Sequence, residues 1–485
     1  MTILVIDIGS SSVRALLFDP QARLIDGAVA TRKYEFMTLP PGASIIDAPE
    51  LRNYVEACMD EILKHPQASD IEAVGIDTFV GNVMGIDSSG NPLTPIYSYA
   101  DIRSSEDVIA LKSQIDLTET HQRTGCPHHT AYLPGRLHWL YRTGQADGVA
   151  KWVDFATYLY RCWFDNPDVP CSYSVATWSG LFNRDILAWD AKWLHMLNLK
   201  VEAFPPLSDY DKPQIGLSLD YRQRWPALRD VPFFLAVGDG AAANVGSGCV
   251  DQSHIALTLG TTAALRVITN QKIPVPAGLW SYRVNHNLHL IGGATSEGGN
   301  IFQWARETLA LDDLTQMDAV IANQLPDSHG LTVLPLLAGE RSPGWRADAT
   351  GTIMGLRLST TPLNIVHAAL EGVALRLGLI AEQLASATST QAVVIAGGGA
   401  INASPAWAQI ITNAINRPLH LTSETELTAR GTALLTLKAL GKISSIDLLP
   451  TISSVLMPQP DAVEKLRQAR LRQQDIYQRL YGAQL

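Results

Sequence analysis

Short apolar runs broken by small polar turns organise this chain. Residues 3–8 (Ile-Leu-Val-Ile-Asp-Ile) predict a buried strand, residues 9–12 a tight turn of small residues, and residues 13–19 the returning strand of a hairpin. The same unit recurs half a chain later. Residues 255–259 read as a strand, Gly260-Thr261-Thr262 as the turn, and residues 263–267 as the return. Aligning Gly9 with Gly260 pairs Ser10 with Thr261, Ser11 with Thr262 and Asp7 with Thr258. Two such hairpins opening successive halves predict a duplicated domain, cut near residue 250 into 1–250 and 251–485.

Between the hairpins, residues 71–77 predict another strand, and the helix-prone stretch 49–64 precedes it. Strand and helix alternate, as an α/β fold requires. In the second half the apolar run 392–396 ends in Gly397-Gly398-Gly399, and Ser404-Pro405 take the cap and first-turn places of a helix. Its apolar face is Trp407, Ile410, Ile411, Ala414 and Ile415. Residues 461–485 carry helical spacing with many Arg and Gln, and predict a C-terminal surface helix. Residues 120–230, rich in Trp, Tyr and Pro, show no clear period and are expected to be inserted helices and loops over a cleft.

Composition narrows the function classes. The chain has 485 residues, 46% hydrophobic and 17% charged, which suits two globular domains. A net charge of −10 with no Lys/Arg run makes nucleic acid and membrane poor partners. The 5 cysteines are scattered without a Cys-x-x-Cys pair, so neither a disulfide framework nor a zinc knuckle is expected, and a reducing cytoplasm is the expected compartment. The N-terminal apolar run is too short for a secretory signal, and no uninterrupted stretch reaches the roughly 20 apolar residues of a membrane span.

Chemistry enters through the turns. Gly9, Ser10, Ser11 and Ser12, like Gly260, Thr261 and Thr262, offer backbone N–H groups and hydroxyls that can hold nucleotide phosphates, although either segment alone also reads as a plain hairpin turn. Asp7 beside the first turn would repel phosphate unless a divalent cation lay between them, directly or through water; a solvated strand-end carboxylate is the alternative. Arg14 can neutralise phosphate charge or stand as an exposed hairpin residue. Asp239, in Val-Gly-Asp-Gly-Ala, sits where it can take the proton of an attacking hydroxyl, or simply cap a helix. Tyr99-Ala-Asp101-Ile-Arg103 offers an acid and a base for a polar substrate, or a surface ion pair. Gly397-Gly398-Gly399 can admit adenosine against the backbone or make a tight turn. His128-His129 lacks a third ligand, so a metal there is set aside.

Two rivals fail on motif: Asn402 stands where the third Gly of a dinucleotide fingerprint belongs, and Gly441-Lys442 is followed by Ile443, which removes the P-loop. A non-catalytic, actin-like nucleotide clamp would share the paired turns and stays open.

From residue 3 to about 440, these motifs together resemble the FGGY carbohydrate kinases. Asp7 to Arg14 looks like the family's first phosphate motif, Gly260 to Thr262 the second, and Gly397 to Asn402 with Trp407 and Gln409 the adenosine motif. Gly238-Asp239-Gly240 matches the strand end bearing the catalytic base, and Gly298-Gly299-Asn-Ile-Phe-Gln303-Trp304 a segment near the nucleotide. Residues 339–345, 351–356 and 370–372 match further. Asp101 and Arg103 fall on a substrate motif Trp-x-Asp-x-Arg, with Tyr99 in place of the Trp, and His367 replaces an Arg of the second signature. The segment 77–81 lacks the typical xylulokinase and glycerol kinase residues, while 124–128, 179–183 and Trp189-Asp190 look most like gluconokinases.

The resemblance implies an α/β protein of two actin-like (ribonuclease H-like) ATPase domains flanking a catalytic cleft, sugar bound by 1–250 and nucleotide by 251–485. It implies ATP and Mg2+, and phosphorylation of a sugar or sugar acid, gluconate first and a xylulokinase-like pentulose or polyol second. The implied sugar contacts are Thr78, Tyr99, Asp101, Arg103 and Asp239; the nucleotide contacts are Gly9, Ser10, Ser11, Ser12, Arg14, Gly260, Thr261, Thr262, Gly299, Gln303, Gly398, Gly399 and Asn402; magnesium falls to Asp7 and Asp239. A homodimer is one assembly such a chain can form.

Overall fold

The computed structural model describes residues 1–309, 311 and 314–482. Contacts divide the chain into two compact units: residues 1–246 with 281–290 and 426–448, and residues 247–280 with 291–425 and 449–485. A single cut near residue 250 therefore leaves out two later segments that belong with the first unit.

The first unit is built on the expected hairpin. Strand β1 (Thr2–Ile8) is fully buried and pairs antiparallel with β2 (Ser12–Phe18), which pairs antiparallel with β3 (Leu24–Lys33). On its other side β1 runs parallel to β4 (Ile71–Thr78). The two-residue strand β5 (Val237–Gly238) lies parallel to the end of β4. The helix Ala48–Ile62 packs on β2 and β3, and its cap Asp47 accepts the Glu50 N–H at 2.9 Å.

Most of the region 120–230 becomes short helices, among them Leu133–Arg142 and Phe155–Phe164, and strands of two or three residues. The helix Leu427–Ala439 packs on the helix Asp239–Gly246 and on β1 and β4. That crossing needs glycine: a Cβ on Gly246 would overlap the Leu427 carbonyl oxygen, and one on Gly431 the Ala242 carbonyl oxygen.

The second unit repeats the plan. Strand β6 (His254–Leu259) pairs antiparallel with β7 (Ala263–Thr269), as β1 does with β2. Beyond β7 lies β8 (His289–Thr295), in the place of β3. On the other side β6 runs parallel to β9 (Val393–Gly397), β9 parallel to β10 (Leu419–Thr422), and β10 antiparallel to β11 (Ile452–Leu456).

The helix Pro362–Gln383 fills this unit's core and starts with a capping box, Thr361 with Asn364. It is long and apolar enough to cross a bilayer, yet 83% of its most apolar window is buried in protein. The helix Pro405–Ile415 begins as expected, with the Ser404 hydroxyl accepting the Trp407 N–H at 3.2 Å. The C-terminal helix spans Pro460–Tyr481; the expected extension to 483–485 lies outside the described residues.

Candidate functional site

In the first unit, strand register gathers the acids. Asp7 stands opposite Arg14 on β2 and opposite Asp77 on β4. Val237 pairs with Asp77 and Gly238 with Thr78, which puts Asp239 one residue past the end of β5. Three carboxylates thus share the carboxyl ends of neighbouring parallel strands, where open α/β sheets bind ligands.

Arg14 pairs with both Asp7 and Glu426. Asp77 has no exposed surface; its Oδ2 accepts the Thr432 hydroxyl at 2.7 Å, and its Oδ1 has no donor among the described residues. Burial, then the neighbouring Asp7, pushes the Asp77 carboxyl well above the usual carboxylate range. Asp239 opens the helix Asp239–Gly246, half-buried, with Oδ1 accepting the Gly240 N–H at 2.7 Å.

The first turn closes with the Gly9 N–H on the Ser12 carbonyl at 3.0 Å, leaving Ser10 and Ser11 exposed at its tip. Tyr34 holds it twice: its N–H donates to the Ser11 carbonyl at 3.1 Å and its hydroxyl to the Gly9 carbonyl.

The four expected sugar residues outside Asp239 divide into two pairs. Tyr99 is exposed and Arg103 partly so. Thr78 is buried, its hydroxyl turned to the Phe79 carbonyl at 3.3 Å. Asp101 is 1% exposed and its oxygens accept from the Ser44 and Arg103 N–H groups and from the Arg103 guanidinium. Asp101 therefore orients Arg103 rather than facing outward itself.

In the second unit, the turn closes with the Gly260 N–H on the Thr262 carbonyl at 3.0 Å. The Gly299 N–H donates to the Gly260 carbonyl at 2.7 Å and the Asn300 N–H to the Thr261 carbonyl at 3.3 Å. A Cβ on Gly298 would come within 2.5 Å of the Thr262 carbonyl carbon, and one on Gly299 within 2.9 Å of Ala400 Cβ. Gly398 has φ +120° and packs on the Leu259 carbonyl.

Residues 260–262, 298–299 and 398–400 are thus three glycine-bearing segments laid backbone against backbone. Asn402 lies one turn beyond, its N–H on the Gly398 carbonyl at 3.3 Å. Gln303 is on an exposed helix face, donating to Glu307 at 2.9 Å. Thr258, the counterpart of Asp7, accepts from Arg266 at 3.1 Å, so this copy keeps a cation but no carboxylate at that place.

Several features escaped the sequence reading. Asp77 and Glu426 are silent as motifs, since each gains meaning only through partners far away in sequence. His367 and His329 both reach Glu371, at 3.1 and 3.0 Å. The His329 Nδ1 accepts the Leu331 N–H, so its Nε2 carries the proton and faces Glu371 as a donor. Burial alone would raise Glu371, but the two imidazoles outweigh it and hold the carboxyl down at about 2. The cluster is satisfied by hydrogen bonds. His128 and His129 turn to separate partners, the Val108 carbonyl and the Ala131 N–H, and none of the five cysteines forms a disulfide among the described residues.

The sequence matches the N-terminal domain of the FGGY family of carbohydrate kinases over residues 2–246 and its C-terminal domain over residues 255–440. It is 25% identical over 462 residues to a gluconokinase of Bacillus subtilis (strain 168), covering 91% of this chain and 88% of that one. A xylulose kinase of Staphylococcus xylosus is 24% identical over 439 residues, covering 89% of each. Among solved structures, a ligand-bound xylulose kinase from Lactobacillus acidophilus superposes with TM-score 0.92 at 24% identity over 100% of this chain and 99% of that one. A gluconate kinase from the same organism gives 0.91 at 24% identity, over 99% and 98%. With both domains of that family matched along it, and a glycine-hydroxyl turn at the head of each sheet, the chain belongs to the FGGY carbohydrate kinases and is a phosphotransferase acting on a hydroxyl group.

Proposed function

We propose that this kinase transfers the γ-phosphate of ATP to a primary hydroxyl of a sugar or sugar acid, with gluconate the first candidate and a pentulose such as xylulose the second. The observation that carries the mechanism is the register bringing Asp7, Asp77 and Asp239 to one sheet end beside a Gly/Ser turn. The gluconokinase relatives, matched over nine-tenths of the chain, support gluconate.

In this reading Asp239 accepts the proton of the attacking hydroxyl, its carboxylate fixed by the first turn of its own helix. Arg103, aimed by Asp101, and Tyr99 contact the sugar. In the first unit Gly9 to Ser12 and Arg14 meet the phosphates. In the second unit Gly260 to Thr262 does the same, while Gly299, Gln303, Gly398, Gly399 and Asn402 take the nucleoside. Transfer requires the bound sugar and nucleotide to meet with water excluded.

The acids fit a divalent cation: they crowd together, and Asp77 Oδ1 has no hydrogen-bond donor among the described residues. Asp7 and Asp239 would hold magnesium, directly or through water, and it would supply charge neutralisation at the phosphates.

Asp239→Asn is expected to lower kcat by roughly a hundredfold or more while sugar binding is kept. Near-normal turnover in that variant overturns Asp239 as the base. ADP release over gluconate, xylulose, ribulose, glycerol and erythritol tests the acceptor; gluconate giving no release above background sinks the first candidate.

A further inference from the structure

We propose that Arg136 is a positioning residue for sugar binding, a buried guanidinium that ties three separate loops into one arrangement and so fixes where Tyr99 and Arg103 point. This rests on the reading of those two residues as sugar contacts.

Arg136 lies on the helix Leu133–Arg142 and has no exposed surface. Its Nη1 donates to the Gly81 carbonyl at 3.2 Å, and its Nη2 to the Asp101 and Thr130 carbonyls, each at 3.0 Å. The first acceptor ends the segment carrying Thr78. The second is in the middle of the Tyr99–Arg103 loop. The third, Thr130, lies two residues past the stretch 124–128. Among the described residues no carboxylate hydrogen-bonds the guanidinium, though the Asp101 charge acts on it, and its Nε has no hydrogen-bond partner. A buried cation spent on three main-chain carbonyls has given up hydration to hold backbone.

The same helix fixes the side chain as well as the backbone of the loop. Trp139, one turn on from Arg136, puts its ring centroid 4.7 Å from the Arg103 guanidinium. Arg103 is also fastened from below by Asp101, its Nη2 at 2.6 Å from Oδ2. The tied loops touch directly: a Cβ on Gly81, at φ +68°, would lie 3.1 Å from Tyr99 Cβ and 3.2 Å from the Ala131 carbonyl oxygen. Moving any one of the three carbonyls moves the surface that presents Tyr99 and Arg103.

The test uses the full chain and the acceptor selected by the ADP-release panel. Arg136→Lys keeps the charge but not the planar fork, and is expected to raise the acceptor KM about tenfold, with kcat nearly kept and ADP affinity by calorimetry unchanged. Gly81→Ala leaves the Arg136 side chain in place but crowds the loop whose carbonyl it holds, so it is expected to give the same signature and decides alone if Arg136→Lys does not fold. An unchanged acceptor KM in folded protein overturns the inference, as does a joint loss of acceptor and ADP binding, which would mark a merely structural arginine. Arg103→Gln separates the two readings. If it leaves the acceptor KM unchanged while Arg136→Lys raises it, Arg103 is not a contact but Arg136 still positions the site. The reverse result refutes Arg136 alone.

Discussion

Glu297 carries its carboxyl at about 7, raised mainly by burial and only partly offset by N–H groups such as that of Ala338 at 2.9 Å. An unfolded chain releases that proton near the ordinary value of 4.5, whereas the folded chain keeps it to about 7. The folded state therefore binds more protons between those values, and stability falls as pH rises through the window. The full cost, on the order of 3 kcal/mol, is present above pH 7. Glu297→Gln is expected to melt above the wild type at pH 8, with the gap closing toward pH 5; equal melting temperatures at pH 8 would contradict it. Tyr34 makes a smaller prediction. Tyr34→Phe removes the hydroxyl donor to the Gly9 carbonyl while keeping the ring, and is expected to weaken ATP binding a few-fold, by about 1 kcal/mol, in a direct titration.

Among elements, the crossing of Asp239–Gly246 with Leu427–Ala439 is the least tolerant of added volume. Gly246→Ala must push the Leu427 carbonyl away, and is expected to cost about 1–3 kcal/mol, read as a lower urea midpoint for the first unit. The hairpins and the helix at 404–415 were legible because each combines a clean period with its own turn or cap chemistry within about a dozen residues. The strand end before Asp239 was legible through its Gly-Asp-Gly run. Asp77 was read only as the end of a strand, because its role comes from pairing with Asp7 across the sheet and with Thr432 from the far end of the chain. Arg136 was invisible for the same reason: its three acceptors lie in separate loops, and nothing local distinguishes it. Residues 120–230 defied periodic reading because their strands are only two or three residues long and their helices span at most ten residues. Thr78 and Asp101 were expected as sugar contacts, but sequence could not tell that burial turns them inward.

For the molecule as a whole, the repeat located the duplication but not the wandering of the chain. The first unit takes in residues 426–448, which supply Glu426 to Arg14 and Thr432 to Asp77. A fragment ending at residue 250 is expected to lack a cooperative thermal transition, and co-expression with 426–448 to restore it. A sharp melt from the fragment alone would show that the late segment is dispensable for folding.

That late helix also sets a schedule. About 180 residues must follow Gly246 out of the ribosome before the segment starting at Glu426 can dock, a wait on the order of ten to forty seconds at usual synthesis rates of roughly 5–20 residues per second. Through that interval β1 and β4 lack the helix that covers them, so the nascent N-terminal half holds apolar strand surface open while synthesis continues.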